Sequence, residues 1–79
     1  MNEKLIQIVS EVFNIEKNKI DENTSPETLE QWDSFNFYVL LNEIEKEFNI
    51  KFSLEETLEI KNVGDFKKQL EKHGVNLNE

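Results

Sequence analysis

The sequence predicts an all-α fold, a four-helix bundle with a long first loop and a short third helix. Three observations carry that prediction. Two segments, Leu5 to Phe13 and Phe37 to Phe48, repeat their apolar residues at helical spacing. Between them, from Ile15 to Asp33, the periodicity fails in a stretch rich in Asn, Asp, Ser and Thr that holds the only proline. Beyond them, Ser53 and Asn62 stand where each can cap a further short helix. The chain has 79 residues, 37% of them apolar, which makes one domain near the lower limit for a single hydrophobic core. So small a core leaves little room for a buried catalytic cleft with its own supporting shell. Size therefore favours a binding or carrier module over an enzyme.

In the first segment Leu5, Ile8, Val9, Val12 and Phe13 share one helix face, Ile6 widens it, and Glu3, Gln7 and Glu11 are left for water. Asn14 suits the end of that helix. Within the loop, Ser25-Pro26-Glu27 reads as a cap, a proline at the first helical position and an acidic first turn. A single turn there would dock Leu29 and Trp32, which with Ile20 would pin the loop to the core. The second helix is expected from Asp33 or Ser34 to about Phe48. It would bury Phe37, Leu41, Ile44 and Phe48, with Leu40 beside them, and turn Glu43, Glu45, Lys46 and Glu47 outward. Ile50-Lys51-Phe52 is too short for a strand and reads as an extended link. Ser53-Leu54-Glu55-Glu56 matches a capping box, opening a third helix through Ile60. Asn62 would cap a fourth helix that buries Val63, Phe66 and Leu70 and ends at Gly74. A single domain over 1–79 follows, with its core at about 3–73 and residues 75–79 expected to fray.

Composition narrows the chemistry. Without cysteine the chain can form neither disulfides nor thiolate metal sites, and it owns no thiol nucleophile. Its one histidine, His73, cannot build a multi-histidine metal site and is expected to sit at a helix C-terminus, favoured by the macrodipole. A formal charge of -8 repels nucleic acid and anionic membranes and attracts partners with basic patches. The longest apolar run, Phe37 to Leu41, is far too short to span a bilayer, and polar residues interrupt the first helix where a signal peptide needs an apolar core. A cytoplasmic monomer is the expectation.

The informative stretch is Trp32-Asp33-Ser34-Phe35, where the polar loop meets the longest helix. Asp33 is suited to N-cap that helix. Ser34 then stands at its first position, with the hydroxyl at the positive end, where a phosphodiester would gain from the dipole and the free N–H groups. Phe35 is expected to anchor the first turn. Taken alone, Asp-Ser is a common dipeptide and reads as a plain helix start; only its setting points further. The alternate Asp21, Asn23 and Ser25 suggest calcium ligands, but Pro26 and Trp32 occupy the positions where the loop motif needs glycine and a bidentate glutamate. Turn formation explains those polar residues better.

In its order of parts the chain resembles the acyl carrier protein family, including peptidyl and aminoacyl carriers, from Leu5 to Leu70. The family's Asp-Ser-Leu modification motif is matched by Asp33-Ser34-Phe35, and its Glu-Glu-Phe-like helix end by Glu45-Lys46-Glu47-Phe48. The link and short helix are matched by Ile50 to Glu56, and the opening of the last helix by Asn62-Val63. The resemblance implies that a magnesium-dependent phosphopantetheinyl transferase moves 4'-phosphopantetheine from coenzyme A onto Ser34, beside the cap Asp33. The arm's thiol would hold an acyl or aminoacyl group as a thioester for lipid, polyketide or other specialised biosynthesis, and the chain itself would catalyse nothing. Partner contacts are implied at Phe35, Tyr38, Asn42 and Glu45 on the second helix and at Glu55 and Glu56 on the third, facing enzymes with basic docking patches. Asn36, Val39 and Lys46, where fatty-acid carriers hold more acid, and Phe35 in place of the usual leucine depart from the fatty-acid type, and the Trp32-Asp33-Ser34 form looks more like stand-alone carriers of specialised pathways or like peptidyl carriers. An unmodified helical adaptor of the same fold is the competing reading.

Overall fold

The computed structural model describes residues 2–77. Among them are four α-helices and no strand: α1 (Glu3–Phe13), α2 (Ser34–Phe48), α3 (Leu54–Glu59) and α4 (Val63–Lys72), with one 3₁₀ turn at Lys17–Lys19. The all-α, four-helix expectation is met, and the 3₁₀ turn is an addition inside the expected loop. Each α-helix begins at a side chain that accepts a bond from the first turn. Asn2 accepts from the Leu5 N–H, Asp33 from Asn36, Ser53 from Glu56 and Asn62 from Asp65. The two longer apolar helices end alike, on Asn14 and Asn49 in the left-handed region at φ 56° and 55°, where asparagine is tolerated better than most residues. Gly74, at φ +86°, follows α4.

The core is an aromatic chain running between the helices. Trp32, from the loop, lies 5.4 Å from the Phe13 ring of α1, 6.1 Å from Phe37 of α2 and 6.3 Å from Phe66 of α4. Phe66 also meets Phe37 at 5.9 Å and Phe52 of the link at 6.2 Å. Leu5, Val9, Leu40, Ile44, Val63 and Leu70 close the space around these rings with no exposure. On α2 the burial differs from expectation. Leu40, Leu41 and Ile44 are buried, whereas Phe37 and Phe48 are only half-buried at the two ends of the stripe.

The long loop is tied down by polar bonds as well as by Ile20 and Trp32. Thr24 O accepts from the Val63 N–H at 3.0 Å, and Glu22 O from the Gly64 N–H at 2.9 Å. The open donors at the start of α4 thus become the loop's anchor. A Cβ at Gly64 would stand 3.1 Å from Glu22 O, so glycine is what lets the loop approach this closely. Ser25 O accepts from the N–H groups of Thr28 and Leu29, giving the expected single turn. Its cap differs: the Ser25 hydroxyl donates to Glu27, and Thr28 Oγ1 accepts from the Ser25 N–H at 3.0 Å. The tail also departs from expectation. Val75 donates to Leu70 O and is half-buried, and Leu77 is buried, so 75–77 packs rather than frays. The rest of that expected fray lies outside the described residues.

Candidate functional site

Ser34 is exposed and is the first residue of α2. Asp33 precedes it with extended backbone, and its Oδ1 accepts from the Asn36 N–H at 2.8 Å. Asn36 in turn donates through Nδ2 to Gln31 O at 2.9 Å, so the turn before the serine is held by the helix it introduces. Asp33 O accepts from Phe37. The N–H groups of Ser34 and Phe35 are left at the open, positive end of the helix. Beside the hydroxyl runs a groove of about 430 Å3 lined by Pro26, Trp32, Asp33, Ser34, Phe37 and Ile60. Its floor is the edge of the aromatic core, and its far wall is the residue that closes α3. An oxygen nucleophile is thus presented to solvent on a rigid platform, next to an apolar surface.

The other expected site residues divide. Phe35, Tyr38 and Asn42 are exposed along one side of α2, and Glu55 is exposed on α3. Phe35 does not anchor the first turn: it is 75% exposed, and Trp32 and Phe37 do the anchoring. Glu45 is half-buried, and its Oε2 accepts from the Phe52 N–H at 2.8 Å, fastening the link after α2. Glu56 turns inward. Its Oε1 accepts from the Ser53 N–H at 2.8 Å, completing the capping box, and its carboxylate meets His73 Nε2 at 3.0 Å and Lys72 Nζ at 3.5 Å. Its side chain is 13% exposed, so it is a clamp between α3 and α4 rather than a partner-facing acid. The Ser53 N–H and the His73 bond, aided by the charges of His73 and Lys72 and opposed by partial burial, hold its carboxyl down at about 2. The expected role of His73 changes with it. The ring pairs with Glu56 and stands edge-on to Phe52 at 5.5 Å, instead of serving only the dipole of its own helix.

Sequence reasoning missed two exposed residues. Leu54 and Leu58 on α3 are 74% and 69% exposed. Their four-residue spacing marks one helix face, but a six-residue helix does not disclose which face meets the core. In comparison with known families, a model described as the phosphopantetheine attachment site matches residues 3–70. No curated protein matches the chain.

Proposed function

The chain belongs to the phosphopantetheine attachment site family, and from that membership we propose that Ser34 is the residue on which it bears its 4'-phosphopantetheine arm. The observation that carries the assignment is the position of this hydroxyl: exposed, at the first residue of a capped helix, on the lip of an apolar groove. The residues fit the group. The open N–H groups of Ser34 and Phe35 suit a phosphodiester anion, and Pro26, Trp32, Phe37 and Ile60 offer apolar contact to the arm beyond it. In the loading step the Ser34 hydroxyl loses its proton and forms an ester bond to phosphorus. The pyrophosphate link of coenzyme A breaks, and adenosine 3',5'-bisphosphate leaves. A phosphopantetheinyl transferase supplies the base and the metal for that step. When bound, the group supplies the thiol on which an acyl or aminoacyl unit rides as a thioester. This chain's own residues present the arm and catalyse nothing.

The unit is a single carrier domain acting in the cytoplasm, and it delivers its cargo to enzymes of lipid, polyketide or other specialised biosynthesis. Among the described residues no helix is long and apolar enough to cross a membrane. Phe35, Tyr38, Asn42 and Glu55 are the residues we assign to partners.

The test is incubation with coenzyme A and a broad-specificity transferase, followed by intact mass. One phosphopantetheinyl addition is expected, and peptide mapping should place it at Ser34. Ser34→Ala should take up none while keeping its helical circular dichroism. Addition to the alanine variant would move the site elsewhere, and no addition to the wild type would leave the unmodified adaptor.

A further inference from the structure

We infer that the cargo of this carrier stays outside the bundle, along the groove beside Ser34, and that the chain is fitted to a short acyl or aminoacyl unit rather than to a long alkyl chain. The inference rests on the carrier reading above and names the class of cargo.

A unit held on the arm's thiol has two places to go: inward between the helices, or along the surface. A long alkyl chain gains from the first, because burial takes its methylenes out of water. What decides is whether the space behind Ser34 can take one. Here that space is filled by rings. Trp32 of the loop, Phe37 of α2 and Phe66 of α4 form a closed triangle, each in contact with the other two at centroid distances of 6.1, 5.9 and 6.3 Å. Trp32 and Phe37 line the groove next to the serine, so the triangle is its inner wall. Phe66 stands behind them with no exposure.

The wall extends to both sides. Towards α1, Trp32 meets Phe13 at 5.4 Å; towards α3, Phe66 meets Phe52 of the link at 6.2 Å, and Phe52 stands against His73 at 5.5 Å. The rings thus run in contact from α1 to the link before α3. An alkyl chain entering from the groove would have to part Trp32 from Phe37, or Phe37 from Phe66, and hold the pair apart. Trp32 ties the loop to α1, α2 and α4 at once, so displacing it loosens the segment that carries the Asp33 cap. A close-packed interior of this kind does not open by small yielding. The groove outside is open to water and holds about 430 Å3, with Pro26 and Ile60 beside the Asp33 carboxylate. A small polar or amine-bearing unit keeps its hydration there, whereas a long chain would find only partial cover.

The experiment loads the full chain from acetyl-coenzyme A and from octanoyl-coenzyme A with a broad-specificity transferase, the thioester passing over intact, and intact mass confirms each product. Two quantities are read: the unfolding midpoint, and the rate at which hydroxylamine cleaves the thioester relative to the same acyl-coenzyme A free in solution. In wild type the two forms should unfold within about 2 °C of each other, since cargo that is not buried does not favour the folded state. Their relative cleavage rates should be equal. Phe37→Ala removes one side of the triangle, so there octanoyl should raise the midpoint by about 4 °C or more over acetyl and slow its own cleavage. Wild type in which octanoyl raises the midpoint and is shielded from hydroxylamine would overturn the inference and leave the carrier reading intact. Equal behaviour of the two forms in a folded Phe37→Ala would overturn the rings as the barrier. The wild-type comparison decides alone where that variant does not fold. A wild type that gains no mass from either donor would overturn the carrier reading and this choice of cargo with it.

Discussion

Phe66 meets three rings of the core and has no exposure, whereas Phe48 closes the far end of α2 and stays half-buried in a cleft with Val75 and Asn76. Truncating the first leaves a closed cavity; truncating the second opens space that water can fill. Phe66→Ala should therefore cost about 3–5 kcal/mol, and Phe48→Ala about half as much. Urea denaturation of the two variants decides it, and equal losses would mean that Phe48 belongs to the closed core after all. At this scale the sequence disclosed what depends on near neighbours. Asp33, Ser53 and Asn62 as caps, and Asn14 as a terminator, follow from residues three or four positions away. It did not disclose Glu45 on the Phe52 N–H or Glu56 on His73. Those bonds depend on how the link folds back, and a carboxylate on a helix looks solvated until its partner is known.

Among the elements, α3 has the least apolar support, and its seating is a matter of charge and hydrogen bonds. The Glu56 carboxyl is lowered from its ordinary 4.5 to about 2 by Ser53 and His73. The sign follows from linkage: a depressed folded value contributes stability that is fully present above the unfolded value and is lost as pH falls through the folded one. Wild type should thus lose stability relative to Glu56→Gln as pH falls from 4.5 towards about 2, and the difference should level off above that window. Thermal unfolding of both proteins from pH 2 to 6 reads it out. Parallel pH dependence would show that other carboxylates carry the acid response. The boundaries of α2 and α4 were legible because each has a cap, a long apolar stripe and a stop. The 3₁₀ turn and the packed tail were not. A turn of three polar residues has no periodicity, and Val75 and Leu77 look like a frayed end until the core offers them a place.

For the whole molecule, charge is distributed unevenly, and that sets how the protein responds to salt. All nine basic residues lie outside 20–45 and 52–60; Lys46, Lys67 and Lys72 reach Glu43, Glu22 and Glu56 from there, which leaves the exposed Glu30 and Asp33 near Ser34 to repel each other. The exposed ion pairs include Lys4–Glu47 at 2.9 Å, Lys46–Glu43 at 3.5 Å and Lys17–Glu3 at 3.7 Å, and pairs of this kind contribute about 0–1 kcal/mol. The molecule measures 29 × 28 × 19 Å. Repulsion across it acts over more than the screening length of about 10 Å at 0.1 M salt, so salt removes the long-range repulsion while leaving close pairs partly intact. Raising NaCl from 0.02 to 0.5 M should therefore raise the unfolding midpoint by about 4–8 °C for each kcal/mol of repulsion removed. Glu30→Gln, which takes one exposed charge from the acidic loop, should raise the midpoint at low salt and flatten its rise with salt. Glu47→Gln, which breaks the pair with Lys4, should do neither. A midpoint that falls with NaCl would show that the exposed pairs outweigh the repulsion. Equal responses in Glu30→Gln and Glu47→Gln would show that the position of the charge is immaterial.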